Sequence, residues 1–323
     1  MDVMVYGATG HTGRFVVAEL IERGFTPIIS GRDAAKLEKL ASFGDVRPAS
    51  VDDPDALDRA VAGAAAVVNA AGPFAVTAGP VLDAALRAKI PYVDVAAEIE
   101  ANAATYARTA AVPVVPAMAF YGGLGDLLVT AAMGDWTAAD EVHVAYGLSS
   151  WHPTEGTRAA GRVSHARRGG RRVRFRNGAL EYHDDQLIEQ DWDFPAPLGR
   201  RRVLAEFTMA DVVTVPSHLD VPDVRTYMAL EAARDLADEH TPAPGPVSDQ
   251  SFMVDAVVRT GGVERRGTAS GQDIYAVTAP LAVEAVRRIL AGETRTTGVA
   301  SAGAMFDARD FLESLSKHLT VVV

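Results

Sequence analysis

The sequence contains no cysteine and little lysine, and each shortage removes a class of chemistry. Without cysteine, the chain has no disulfide, no thiolate nucleophile and no cysteine-ligated metal. Its lysines are Lys36, Lys39, Lys89 and Lys317. The long middle part of the chain therefore offers no lysine for catalysis, and its positive charge comes from arginine.

Excess negative charge and dispersed histidines limit the ligands further. The net charge of -11 argues against nucleic acid or an anionic membrane as the main partner. The histidines show no paired spacing, so no metal site is expected. Residues 60–82 carry no charge, but two Gly-Pro pairs interrupt them, so we expect no membrane span. Because residue 2 leads directly into a predicted strand, we expect no signal peptide, and this favours the cytoplasm.

A glycine-rich turn separates the first predicted strand, residues 3–6, from an amphipathic helix predicted over residues 15–23. Its glycines recur every three residues, which allows a tight turn and brings a pyrophosphate close to the backbone and the helix N-terminus. The last glycine is expected to let the helix pack against the strand. The predicted dinucleotide-binding residues are Gly7, Ala8, Thr9, Gly10, His11, Thr12 and Gly13.

The residues after the second and third predicted strands indicate which dinucleotide is bound. In such sheets the end of the second strand meets the adenosine ribose, where an acid suits NAD and an arginine suits the 2′-phosphate of NADP. Arg32, with Ser30 as a hydroxyl donor, therefore predicts NADP(H). Asp52 is a candidate for the adenine amino group, and Asp53 is an N-cap candidate.

Strands alternate with helices through the first third of the chain, which predicts an α/β fold with a Rossmann-type, doubly wound parallel sheet. The fourth predicted strand, residues 66–70, ends in a loop of small residues. This loop lies at the sheet edge, where a nicotinamide ribose would pass. The loop residues expected to contact the cofactor are Asn69, Ala70, Ala71, Gly72, Pro73 and Phe74.

The segments YGATGHTGR, SGRDAAKLEKL, VVNAAGPF and AGPVLDAALRAKIPYVDVAAE together resemble the saccharopine dehydrogenase-like family. The most distinctive feature is a G-P-F loop followed some twenty residues later by Y-V-D-V-x-x-E. The resemblance covers residues 3–125 well and the second half loosely. It implies an NADP(H)-binding oxidoreductase and leaves the substrate open. Asp94 and Glu98 match the family motif, and two roles stay open for them: orienting the nicotinamide or capping the next helix.

Alternating stretches after residue 125 predict a second α+β domain on a mostly antiparallel sheet. Asn177-Gly178 and Gly261-Gly262 are two-residue hairpin signals. We expect a dinucleotide-binding domain over residues 1–122, a substrate domain over 123–277 that is also open to homodimer contacts, and helices in 278–323 that pack back on the first domain. The predicted strands are residues 141–147, 172–176, 180–183, 202–209, 211–215, 224–230, 252–260 and 264–270.

A basic run from Arg158 to Arg176 stands out in this acidic chain. Two interpretations are open. The run forms a solvated hairpin with alternating arginines, or Arg158 or Arg162 lies on a helix and holds an acidic substrate or carrier.

Hydride transfer requires a positioned nicotinamide, exclusion of water and a proton donor. No tyrosine has a lysine four residues after it, so the Tyr-x-x-x-Lys pair of short-chain dehydrogenases is excluded. The principal candidate donors are Tyr121, at the end of the sixth predicted strand, and His152, because histidine is a common general acid. Tyr92, Asp94 and Glu98 are further candidates.

The resulting hypothesis is an NADPH-dependent reductase of an imine or an activated C=C bond in a small or carrier-bound metabolite. The alternative is a non-catalytic NADP-binding regulator, because the second domain shows no obvious catalytic pair.

Overall fold

Six short parallel strands form the first sheet, in the order β3-β2-β1-β4-β5-β6. The computed structural model describes residues 1–246 and 248–323. The strands are β1 (Asp2–Tyr6), β2 (Thr26–Gly31), β3 (Asp45–Pro48), β4 (Ala66–Asn69), β5 (Tyr92–Asp94) and β6 (Val114–Val115). The helices between them are α1 (His11–Glu22), α2 (Ala34–Glu38), α3 (Pro54–Val61), α4 (Phe74–Ala88) and α5 (Ile99–Tyr106).

Alternate residues of β1 enter two different cores, because successive side chains of a strand point to opposite faces. Val3 and Val5 belong to the same buried cluster as Val16 of α1. Met4 and Tyr6 belong to the cluster that contains buried residues of α3 and α4. Helices therefore cover both faces of the sheet, which explains why its strands are apolar throughout and confirms the predicted fold class.

The second sheet has nine strands, which lie between residues 141 and 322 of the described chain. Seven follow the order β10-β11-β12-β7-β13-β14-β15, while β8 pairs with β12 and β9. The strands are β7 (Glu141–Leu148), β8 (Arg172–Arg176), β9 (Ala179–His183), β10 (Glu189–Asp193), β11 (Arg200–Ala205), β12 (Val224–Ala229), β13 (Ser251–Thr260), β14 (Val263–Gln272) and β15 (Thr320–Val322). The helices are α6 (Gly125–Met133), α7 (Glu155–Arg167), α8 (Asp211–Thr214), α9 (Leu230–Ala237), α10 (Thr278–Ala291), α11 (Ala302–Met305) and α12 (Ala308–Ser314).

Strand pairing in the second sheet is antiparallel except between β12 and β7 in the described parts of the chain, so the mostly antiparallel prediction is confirmed. Both hairpin signals are confirmed too. Asn177 and Gly178 have φ of 51° and 76°, and Gly261 and Gly262 have 56° and 79°. Positive φ at both central residues is the requirement of the type I′ turn that matches strand twist.

Several predicted elements were wrong in type or extent. Residues 211–215 form α8 and a short 3-10 turn rather than a strand, because tertiary burial of all five residues overrides their β-branched composition. Strand β10 was missed because its sequence, EQDWD, is mostly charged, as edge strands often are. Helix α1 begins at His11, four residues earlier than predicted.

The last segment of the chain contributes to both sheets. α10 packs against α1 and the first sheet, while β15 pairs with β14 of the second. One buried cluster contains both Val5 of β1 and Val144 of β7. The division into three ranges therefore stays a prediction. No helix in residues 1–246 or 248–323 is long and apolar enough to cross a membrane.

Candidate functional site

The glycine turn between β1 and α1 leaves no room for side chains. Gly7 has φ of +87°, and a Cβ there would lie 2.8 Å from the backbone nitrogen of Ala71. A Cβ on Gly13 would lie 2.1 Å from the Gly7 carbonyl oxygen. Gly13 therefore lets α1 approach the turn itself, at the end of β1, and Gly7 lets the loop after β4 approach the same turn.

The N-terminus of α1 has the features of an anion site. It begins at His11, carries no acidic residue in its first turn, and is capped by no side chain of the described chain. The free N–H groups and the helix dipole favour a phosphate there. The N–H groups of Gly7 and Ala8 instead donate to the Ser30 carbonyl, at 2.9 and 3.2 Å. The N–H groups at the start of the turn are therefore already used within the protein.

Arg32 follows β2 and Asp52 follows β3, at the carboxyl edge of the first sheet. Both side chains are exposed, and both charges act on the pKa of Tyr6, whose hydroxyl donates to the Ala49 carbonyl at 3.1 Å. Arg32 forms no ion pair within the described residues. The role predicted for Ser30 was wrong: its hydroxyl is fully buried and donates to the Arg47 carbonyl at 2.8 Å.

The side chain of Asn69, the last residue of β4, forms hydrogen bonds that fix the loop after this strand. The Asn69 amide nitrogen donates to the Tyr92 hydroxyl at 3.1 Å, and its oxygen accepts the N–H of Ala71 at 3.1 Å. Asn69 is fully buried, so it shapes the loop and does not face a ligand. Ala70, Ala71 and Pro73 are half-buried, Gly72 is exposed and Phe74 is buried as the first residue of α4.

The two motif acids are both committed to the protein's own backbone. Asp94 accepts the Tyr92 hydroxyl and the N–H groups of Ala96 and Ala117, and its burial raises its pKa to about 6. Glu98 accepts the N–H groups of Phe74 and Ala75, at 2.7 and 2.9 Å. Glu98 therefore caps α4, which precedes it, and not the next helix as one interpretation expected.

A cluster of aromatic rings connects the glycine turn to the second domain. The His11 ring packs edge-on against Tyr275, with centroids 5.2 Å apart. The Tyr275 hydroxyl accepts the indole N–H of Trp151 at 3.2 Å, and the Trp151 ring lies 5.2 Å from that of Tyr121. Tyr146 packs on Tyr121 from the other side, at 5.1 Å.

The two predicted proton donors differ in their surroundings. The Tyr121 hydroxyl is buried without a hydrogen-bond partner among the described residues, and burial raises its pKa well above the usual value of a phenol. His152 is half-buried, and its backbone carbonyl accepts the Tyr275 hydroxyl at 3.3 Å. The structure therefore places Tyr121 inside the aromatic cluster and His152 at its margin.

Helix α7 lies over the loop after β4. Thr154 caps it by accepting the N–H of Thr157, and the Thr157 hydroxyl lies 3.1 Å from that of Tyr275. A Cβ on Gly72 would lie 3.9 Å from the Cβ of Ala160. The guanidinium of Arg158 donates to the carbonyls of residues 238 and 241, whereas Arg162 is exposed. Arg158 is thus used structurally.

Sequence reasoning missed Tyr275 and Asp211. Asp273 accepts the N–H of Tyr275 in a turn at the end of β14; an Asp after a strand signals such a turn but not where the tyrosine points. Asp211 accepts the Tyr146 hydroxyl with both oxygens at 2.9 Å, and full burial raises its pKa to about 7. No sequence signal pairs these last two residues.

Residues 7–117 match the model of a family described as NAD(P)H-binding. A probable mitochondrial saccharopine dehydrogenase-like oxidoreductase of Arabidopsis thaliana is 28% identical over 118 residues, which are 31% of this chain and 26% of that protein. The match thus spans about a quarter of this relative's length. Apo saccharopine dehydrogenase (L-Glu forming) of Saccharomyces cerevisiae superposes with a TM-score of 0.67 over 99% of each chain at 11% identity, which shows the fold.

The fold and the glycine turn therefore define a two-domain α/β chain with an NAD(P)H-binding domain. The predicted resemblance to saccharopine dehydrogenase-like oxidoreductases is confirmed by the partial match to the Arabidopsis protein and by the shared fold.

Proposed function

We propose that this protein is an NADPH-dependent reductase of an imine or an activated C=C bond in a small or carrier-bound metabolite. The observation that carries the proposal is the buried hydroxyl of Tyr121, which has no partner in the described structure. A buried hydroxyl without a partner is costly, so a ligand group is the natural acceptor. The ring of Tyr121 is linked to the glycine turn through Trp151, Tyr275 and His11.

The preference for NADPH rests on Arg32. Its exposed guanidinium follows β2 and has no carboxylate partner within the described residues, so a 2′-phosphate would meet an uncommitted charge. Asp52 lies near the same tyrosine, Tyr6, and is the candidate for the adenine amino group.

When bound at this edge, a nicotinamide would supply a hydride to the carbon of the reduced bond. Tyr121 provides the proton: the electron pair of the reduced bond moves to the imine nitrogen or the enolate oxygen, and the phenol O–H is donated to that atom. A phenol is protonated at neutral pH, and burial raises the pKa of Tyr121 further, so its hydroxyl donates only to an atom that becomes strongly basic as the hydride arrives. The rings of Trp151 and Tyr146 pack against the Tyr121 ring, and the hydroxyl oxygen is buried.

The experiment is a turnover assay that follows NADPH absorbance with panels of imines, enals and enones. Consumption with one panel supports the reductase and identifies the bond. Tight NADPH binding without consumption on any panel, or on cell extract, would favour the non-catalytic NADP-binding regulator. A homodimer and a cytoplasmic location stay predictions beside this proposal.

A further inference from the structure

A group of charged side chains lies on the hairpin of β8 and β9. Cross-strand pairing places Arg172 opposite His183 and Arg174 opposite Glu181, so all four side chains share one face. Asp185 follows the hairpin, and Glu206 follows β11. Three separate segments therefore bring their side chains together, which the sequence spacing does not indicate.

His183 is the unusual member of this group. Its side chain is 7% exposed, and neither ring nitrogen has a hydrogen-bond partner within the described structure. Nδ1 lies 3.4 Å from Asp185 Oδ2, and Nε2 lies 3.7 Å from Glu206 Oε2. Burying an imidazole without hydrogen bonds costs free energy of folding. A ligand bound to one ring nitrogen would offset this cost.

We propose that His183, Asp185 and Glu206 form a binding site for a divalent transition-type cation such as Zn²⁺. One ligand atom from each residue lies within 4.8 Å of the others. Mixed nitrogen and carboxylate oxygen ligands suit zinc and its neighbours better than magnesium or calcium.

Arg174 is the competitor for this site. Its Nη1 lies 2.8 Å from Asp185 Oδ2 and 3.1 Å from Glu206 Oε2, while its Nε lies 2.9 Å from Glu181. Three carboxylates thus face the guanidinium groups of Arg174 and Arg172, so negative charge remains for a cation. A bound dication would compete with Arg174 for the carboxylates of Asp185 and Glu206. Arg174 would retain its ion pair with Glu181. The affinity is therefore limited by Arg174.

The cation would fix the hairpin where it contacts other elements. On its opposite face, Val173 and Phe175 pack with Ile99 of α5 and Val213 of α8. A bound cation would thus join the hairpin to the loop after β11.

The test is calorimetric titration of the full chain, without a histidine tag, with ZnCl₂ and separately with MgCl₂. We expect one Zn²⁺ site and no comparable Mg²⁺ binding. His183→Ala should weaken Zn²⁺ binding roughly tenfold or more, and Arg174→Gln should strengthen it by removing the competing charge. His240→Ala is the matched control, because His240 is an exposed histidine paired with Asp238 at 3.0 Å.

Stoichiometric Zn²⁺ binding that His183→Ala leaves unchanged would overturn the proposal, as would no binding by the wild type and Arg174→Gln. If His183→Ala fails to fold by circular dichroism, Glu206→Gln provides the same comparison with a side chain of equal shape.

Discussion

The carboxylate of Glu98 accepts the backbone N–H of Phe74 at 2.7 Å, across 24 residues of sequence. These residues belong to the two halves of the family motif, the G-P-F loop and Y-V-D-V-x-x-E. The acid of one half thus caps the helix that begins in the other. Asn69 holds the same loop from β4, so the loop is fixed at both ends.

Glu98→Gln should destabilise the protein. The glutamine offers one oxygen to two N–H groups, so one of them is left without an acceptor, at a cost of about 1–3 kcal/mol. Urea unfolding measures this loss, with Glu155→Gln as the control because Glu155 is exposed at the start of α7. An unchanged free energy of unfolding would show that the cap contributes little.

Arg32→Ala should weaken NADPH binding and leave NADH binding nearly unchanged. A charge-assisted hydrogen bond contributes about 1.5–3 kcal/mol, so the loss should be roughly ten- to a hundredfold. Fluorescence titration with both dinucleotides measures it, and Arg59→Ala, an exposed arginine of α3, is the control. An equal loss for both dinucleotides would refute the 2′-phosphate contact.

Tyr121→Phe should lower kcat by about 10²–10⁴-fold, the usual contribution of a general acid, and leave the Kd for NADPH unchanged. The variant removes only the hydroxyl, so the packing against Trp151 is kept. Steady-state kinetics on the active panel provide the readout, and Tyr182→Phe, an exposed tyrosine of β9, is the control. Unaltered kcat would direct attention to His152.

Asp211→Asn should change how stability depends on pH. Burial raises the pKa of Asp211 from 3.8 to about 7. A raised carboxyl pKa contributes stability that is full below the unfolded value and is lost as the pH rises through the folded value. The wild type should therefore lose up to about 1.4 kcal/mol per pH unit relative to the variant between these pKa values.

Urea unfolding at a series of pH values measures the difference for Asp211→Asn. Asp94, whose pKa is raised to about 6, adds a loss in the same direction that both proteins share. Parallel pH curves for the two proteins would contradict the assignment.

Sequence patterns correctly predicted the features that depend only on neighbouring residues, such as tight turns and helix caps. The strand–turn–helix at Gly7 follows from backbone sterics, and the cap at Asp53, which accepts the N–H of Ala56 at 2.9 Å, follows from the needs of a helix N-terminus. Ser30 was misassigned because its hydroxyl bonds to Arg47 on the neighbouring strand, a contact that spans 17 residues.

The sequence by itself determined the dinucleotide turn, the parallel sheet and the family resemblance, because these depend on residue type and on spacing within a few positions. Only the tertiary structure decided that Glu98 caps α4, that Tyr275 joins His11 to Trp151, and that His183 meets Glu206. The reason is physical: these contacts join residues from different elements. Strand order and helix packing, which depend on the whole core, decide which of those elements become neighbours.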